Sequence, residues 1–388
     1  MHLPFAPSEP ATLGIEWELG LVDRQTGVLQ PLSDRIVDRV VAPSEQRPYL
    51  VSGEFMLNTI ELITGVCRTV DQGLDQLAAA GREALKHAQA ENLLLYSQGT
   101  HPFASPRQET VAPQQRYQRM LDRTQWWGQQ MVIYGVHVHV GLPSTDAAMP
   151  AINQLINYYP HLLALSASSP YWESQDTGYV SQRTLIFQQL PTSGLPFQFE
   201  QWSGFESVVS DLIKIGMVDD VTECRWDVRP VPRLGTVEMR ICDGVSTLKE
   251  IGALAALTQC LVAEVITPES DRYAPVEIMA PWFVQENKWR AARYGLDAIV
   301  IINAAGDEQL VTEHLMETIN RLEPVAHRLG CHTQLGWVED LIRSGGPAAQ
   351  QRQIAQRGDP GRAPDVADLA HVVLDAAGRT EHSLLNWG

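Results

Sequence analysis

Three short stretches repeat one pattern: Glu16-Trp17-Glu18, His137-Val138-His139 and Glu238-Met239-Arg240, each inside a run that alternates polar and apolar residues. On a β-strand, residues i and i+2 share a face. Each polar pair therefore points one way, while Ile15, Trp17 and Leu19, Val136, Val138 and Val140, and Val237, Met239 and Ile241 point the other. Half-exposed antiparallel strands alternate in this way by default. Their solvated faces usually carry Thr, Lys, Ser and Gln, however, whereas these carry carboxylate, imidazole and guanidinium. Glu16 beside Glu18 repels unless a cation or an arginine lies between them. If the three strands are neighbours, their shared face is a cage of oxygen and nitrogen ligands. Glu54 and Glu61 add two more carboxylates. Their odd spacing places them on opposite faces of one continuous strand, so they converge only if 53–58 is a loop leading into the strand that bears Glu61. Many carboxylates with one or two imidazoles suit Mg²⁺ or Mn²⁺ better than zinc, because hard divalent ions take oxygen ligands.

A nucleoside triphosphate is the usual reason for Mg²⁺, yet no lysine follows a glycine and no G-x-G-x-x-G occurs, which excludes the P-loop and Rossmann devices. Polyphosphate would have to be held by metals and arginines. Two clusters offer cations: Arg225 and Arg229 within 225–230, and Lys288, Arg290 and Arg293 within 288–293. Either is also compatible with a surface ion-pair network. Arginine dominates the basic residues, and its rigid fork suits carboxylate and phosphate. Cys67, Cys224, Cys242, Cys260 and Cys331 are scattered, odd in number and never paired as C-x-x-C. They read as reduced, partly buried thiols rather than a disulfide framework or a zinc site.

The elements that must position these groups are legible in outline. With 388 residues, 44% of them hydrophobic, the chain can bury a continuous core. A net charge of −17 without any basic run excludes a nucleic-acid partner. No secretory leader and no apolar run long enough for a span are seen, so no membrane association and a cytoplasmic location are expected. Alternation predicts strands at 13–22, 59–64, 93–97 and 132–142, and a hairpin over 222–243 with Pro230 and Pro232 confined to its turn. Helical spacing predicts helices at 70–91, started by Asp71, and at 116–130, 149–166, 206–215, 249–265, 312–329 and 365–377, with another inside 281–298. The stretch up to about 205 reads as irregular, and 345–364 as a Gly/Pro/Gln/Arg-rich loop. The residues beyond that loop are too few for a domain of their own. The expectation is one domain over 1–388 with the tail 346–388 packed on it, α+β in class, around a mainly antiparallel sheet.

The stretches 14–18, Glu54 with 61–65, 135–140, 225–230, 235–243 and 287–295 resemble, in this order, the bacterial glutamate–cysteine ligase type 2 family, also called YbdK-like carboxylate-amine ligases. The resemblance implies a glutamine synthetase-like catalytic fold. In it a curved antiparallel sheet, with helices on its outer face, holds two or three Mg²⁺ (or Mn²⁺) against ATP, the co-substrate. Carried over by position, Glu18, Glu54 and Glu61 would bind one metal, and Glu16, His137 and Glu238 the metal that bridges the ATP phosphates. His139 would lie towards the nucleotide and Arg240 towards the transferring phosphoryl group, with Glu238 beside it in the catalytic pair. Arg225 and Arg229 would take substrate carboxylate or phosphate, and Lys288, Arg290 and Arg293 fall in a motif assigned to nucleotide binding.

The implied reaction joins the γ-carboxylate of L-glutamate to the amine of L-cysteine through an acyl phosphate, with amino acids and ATP as small-molecule partners and a homodimer as the implied assembly. Three other readings remain: the same chemistry on another acid and amine, an ATP-dependent guanidino or amino phosphotransferase, and, outside ATP chemistry, a metal-dependent amidohydrolase. A catalytically silent binding protein fits the density of ligand residues least well.

Overall fold

Seven strands make the central sheet of this computed structural model, which describes residues 2–40, 46–267, 273, 275–356 and 362–388. They are β1 (Leu13–Asp23), β2 (Leu50–Gly53), β3 (Thr59–Ile63), β4 (Leu93–Tyr96), β5 (Gly135–Gly141), β6 (Val228–Val231) and β7 (Thr236–Asp243). Their order is β2-β3-β1-β5-β7-β6, and every pairing is antiparallel. The long strand β1 is the organiser. Its first half pairs with β5, its second half with β4, and β3 runs along its other edge.

One face of this sheet is apolar, as the alternation predicts. Ile15, Trp17, Leu19, Ile60, Leu62, Val136, Val138, Val140, Val237, Met239 and Ile241 are all buried in one cluster. They lie against three long helices, α1 (Val70–Ala90), α2 (Thr145–Ser166) and α3 (Leu248–Ile266). Burying each such aliphatic side chain contributes about 1.5–3 kcal/mol, so this layer holds the sheet flat against its helices. Trp17 is also fixed in orientation, because its indole N–H donates to Ser97 Oγ at 2.9 Å and to the Val245 carbonyl at 3.1 Å. The helix starts are local chemistry. The Thr69 hydroxyl caps α1, rather than Asp71, which sits in the first turn, and Thr247 with Glu250 forms a reciprocal capping box on α3.

Several boundaries differ from the sequence reading, each for a physical reason. The helix expected over 116–130 is two, Gln115–Thr124 and Trp126–Gln129, because Gln125 adopts φ +51° between them. α2 begins at Thr145 and the helix expected at 206–215 begins at Trp202; both run a turn or more earlier than apolar spacing suggested. Pro230 lies inside β6, not in the turn, which is possible because β6 is an edge strand. The irregular stretch contains a helix, Gln182–Phe187, and His332–Arg343 forms a helix that the pattern did not reveal. The expected loop 345–364 includes the helix Pro347–Ala355, while 357–361 lies outside the described residues. The last helix extends to Leu385.

The final helix packs where glycine admits it. A Cβ on Gly81 of α1 would sit 2.4 Å from Leu384 Cδ2, and Arg379 of the same last helix donates to Glu250 Oε1 at 2.9 Å. Gly81→Val should therefore destabilise the fold by about 1–3 kcal/mol through overpacking. The measurement is a urea midpoint at unchanged m-value; an unaltered midpoint would show that the tail yields freely.

Candidate active site

The second face of the sheet is polar, and strand register decides which groups meet. Glu18 lies opposite Glu61, Glu16 opposite His137, and His139 opposite Glu238, which is in turn opposite Arg229. Cross-strand partners stand only about 5 Å apart at Cβ, so four ladders turn scattered residues into one continuous row. A β-bulge in β7 breaks the register between Val136 and Val138, and two residues, Arg240 and Ile241, there oppose one on β5. Bulges re-aim side chains beside functional sites.

The contacts along this row are short. His137 Nδ1 lies 3.0 Å from Glu16 Oε2, and His139 Nε2 lies 3.2 Å from Glu16 Oε1. Glu238 is held by two guanidinium groups, Arg229 Nε at 2.7 Å and Arg240 Nη1. The backbone N–H of Gly135 donates to Glu18 Oε2 at 2.5 Å. Ligand atoms of Glu16, His137 and Glu238 all fall within 4.8 Å of one another, and so do those of Glu18, Glu61 and His137. His137 Nε2 is buried without a hydrogen-bond partner, 3.9 Å from Glu18 Oε1. A buried imidazole nitrogen left open among carboxylates is what a divalent cation would satisfy, so the residues present fit a metal.

Electrostatics divide the carboxylates into two sets. Burial disfavours the Glu16 charge, but hydrogen bonds from His137 and His139 outweigh it and hold the acid well below its ordinary range. Glu238 is likewise depressed, burial being overcome by Arg240, Arg229 and His139. Glu18, Glu54 and Glu61 behave in the opposite way. Burial, reinforced by Glu54, pushes Glu18 up to about 7. Burial together with Glu54, Glu16 and Glu18 raises Glu61 well above the carboxylate range, and burial raises Glu54. Burial and Arg240 lower His137 to about 4, whereas His139 is raised because Glu238 and Glu16 outweigh its burial.

A cavity of about 440 Å³ opens over part of this row. Glu18, Glu54, His137, Arg225, Arg229 and Arg240 border it, opposite an apolar wall that includes Phe55, Met131, Ile133 and Phe187. Glu54 follows β2 in the turn that leads into β3, the loop its spacing from Glu61 required, and its Oε2 accepts from the Phe55 N–H. It lies on the cavity wall outside both ligand groups. The second cationic cluster is not brought to the row. Lys288 is buried in an ion pair with Asp227 at 2.8 Å, and Arg290 is engaged by Glu286 and Glu308. The Arg293 guanidinium packs over the rings of Tyr179 and Tyr294. Sequence reasoning missed Arg183 and Arg116, which also line the cavity. The one local signal for Arg183 was Ser181, whose hydroxyl caps the short helix that carries it.

Residues 12–368 match the glutamate–cysteine ligase family 2. The chain belongs to that family. Among its relatives, "Putative glutamate–cysteine ligase 2-1" of Arthrobacter sp. (strain FB24) is 51% identical, covering 97% of both chains. "Putative glutamate–cysteine ligase 2" of Micrococcus luteus is 52% identical over 99% of each. Of solved structures, the glutamate–cysteine ligase of Francisella tularensis in complex with AMP superposes with a TM-score of 0.64, covering 99% of this chain and 96% of that one. At 14% identity that likeness speaks for the fold, and the α+β antiparallel architecture agrees with it. Among the described residues no helix is long and apolar enough to cross a membrane.

The raised set makes a stability prediction with a definite sign. Glu18 titrates higher in the folded chain, about 7, than its ordinary value of 4.5, so folding takes up a proton between these values. Its contribution to stability is present below pH 4.5 and lost as pH rises through 7. In chelator, Glu18→Gln should therefore be more stable than the parent at pH 8, by up to about 3 kcal/mol, and the gain should fade towards pH 5. Mg²⁺ should raise the melting temperature of the parent more than that of the variant. Melting curves at several pH values test this; a stability difference independent of pH would refute it.

Proposed function

We propose that this protein is an ATP-dependent carboxylate-amine ligase that joins the γ-carboxylate of L-glutamate to the amine of L-cysteine, giving γ-glutamylcysteine, ADP and phosphate. The observation that carries the reading is the cross-strand row itself. Glu16, His137, His139 and Glu238 stand in adjacent registers with Arg240 beside them, and His137 and Arg240 border the cavity. Family membership supports it, and the names of the relatives suggest the acid and the amine.

A carboxylate is a poor acyl donor. Its oxygen attacks the γ-phosphorus of ATP, ADP leaves, and the resulting acyl phosphate is attacked by the amine with loss of phosphate. In this reading Glu16, His137 and Glu238 would hold one Mg²⁺ and Glu18 with Glu61 a second, with Glu54 on the cavity wall as a further carboxylate. Bound Mg²⁺ supplies neutralisation of polyphosphate charge. The protein's own part is positioning and donation. Arg240, whose charge Glu238 and Glu16 sustain against burial, has an Nε without a partner and borders the cavity. It is the donor for charge that develops on the transferred phosphoryl group. Arg229 braces Glu238, accounting for one of its oxygens, and Arg225 offers a cation at the rim to a substrate carboxylate. Phe55, Met131, Ile133 and Phe187 give the cavity an apolar side, and keeping water from the acyl phosphate protects it from hydrolysis. Cys242 has no part in this. It lies in the core on the far face, and burial pushes its thiol up to about 12.

Two measurements test the proposal. ADP and phosphate should be released only when acid, amine and MgATP are all present, with the amide seen by mass; stable phosphorylated product without condensation would indicate a phosphotransferase instead. Arg240→Lys should lower kcat by roughly 10²-fold, as when one preorganised donor is removed, while KM for ATP changes far less. Near-normal turnover in that variant would assign Arg240 to neutralising Glu238 alone.

A further inference from the structure

Arg183 sits near the start of the helix Gln182–Phe187, lines the cavity, and is only 3% exposed. Unlike Arg229 and Arg240, it forms no ion pair among the described residues. Its fork is spent on backbone instead. Nη1 donates to the Arg240 carbonyl at 3.3 Å and the Ile241 carbonyl at 3.2 Å, and Nη2 donates to the Arg240 carbonyl at 3.3 Å. These are the two residues of the β-bulge, where the ladder to β5 is interrupted. Glu18 and Asp243 feel its charge and the Phe187 ring lies 5.9 Å from it, but no carboxylate pairs with it directly, so burying it is costly.

Two further observations bear on the same point. The neighbouring strand makes room for the guanidinium: a Cβ on Gly135 would lie 2.2 Å from Arg183 Nη2. Gly135 is also the residue whose N–H holds Glu18. The short helix, in turn, is bolted to the end of β7. Asp243, the last residue of that strand, accepts from Ser181 Oγ at 2.9 Å, Ser169 Oγ at 2.6 Å and the Ser168 N–H at 2.9 Å. Ser169 Oγ in turn accepts from the Arg183 N–H at 3.0 Å.

We infer that Arg183 is a positioning residue, a brace that fixes the bulged Arg240–Ile241 backbone and thereby the direction in which Arg240 enters the cavity. It acts through Arg240 rather than on substrate. The bulge frees carbonyls from the ladder and would otherwise be the softest part of β7. A planar fork spanning both carbonyls removes that freedom, and an ammonium cannot span them in the same way. For its kinetic readout the inference rests on the ligase reading above.

The test is a double-mutant cycle of Arg183→Lys and Arg240→Lys in the full chain. kcat and KM for ATP are measured per folded molecule, and hydrogen exchange of 236–243 is followed without substrate. Arg183→Lys should lower kcat about 10-fold or more, the scale of loss from misplacing a reacting group. KM for ATP should move less than about threefold, and the loss should nearly vanish in the Arg240→Lys background, as coupling through one residue requires. Exchange of 236–243 should accelerate. Should Arg183→Lys fail to fold, Gly135→Ala displaces the guanidinium without removing it and should give the same split. Unchanged kcat per folded molecule, or a loss that multiplies with that of Arg240→Lys, overturns the inference. If the parent releases no ADP with any acid and amine, the ligase reading fails on its own. The exchange arm then decides, and unaltered exchange at 236–243 removes the brace.

Discussion

Like charges confined to one buried place are the constraint on which this structure depends. Glu16, Glu18, Glu54, Glu61 and Glu238 each feel at least one other across the polar face, and burial removes the water that would screen them. An antiparallel ladder can impose such crowding because its hydrogen bonds and the apolar layer on its other face carry the cost. The helices behind the sheet are thus part of the site's electrostatics, since without their packing the strands would part to let the carboxylates hydrate. The chain relieves the repulsion in two unequal ways. Glu16 and Glu238 receive imidazole and guanidinium partners and stay ionised, whereas Glu18, Glu54 and Glu61 receive too little positive charge and favour a proton. The unrelieved half is the half that a cation would stabilise.

What the sequence disclosed follows from what periodicity can report. Period-two alternation in β1, β5 and β7 announced both the strands and the shared face of each polar pair, because side-chain direction is a local property of the chain. Membership of the row was legible for the same reason. Register was not, since Glu16 meets His137 only through a pairing between strands more than a hundred residues apart in the chain. Glu54 was placed by elimination: its spacing from Glu61 forbade a strand, and the turn after β2 supplies the loop.

The residues that escaped have no such local signature. Arg183 lies in a stretch without apolar period, and its meaning comes from two carbonyls nearly sixty residues away. Lys288 shows the same limit from the other side. Its place in a motif-like cluster gave no hint that it is buried, paired with Asp227 and set beside the Tyr159 ring, because those partners are distant in the chain. The stretch 345–364 was read as a loop because Gly, Pro, Gln and Arg are frequent there. Gln351 nonetheless reaches inward from the helix Pro347–Ala355 and donates to Gln98 Oε1 at 2.7 Å and to the Ser168 carbonyl. A single amide thus ties the tail to the buried polar network that ends at Asp243.

The edge strand β6 has a consequence for how copies of the chain can meet. Pro230 stands opposite Val237 with no N–H to offer, and Pro232 follows in the turn, its carbonyl already taken by the Ala6 N–H. Open sheet edges recruit foreign strands, and proline is among the residues that blunt them. On the side of the sheet nearest Glu238 an added strand would therefore meet a gap in its ladder at Pro230. Extension of the sheet there, which would bring a second polar face beside the first, is disfavoured by the backbone itself.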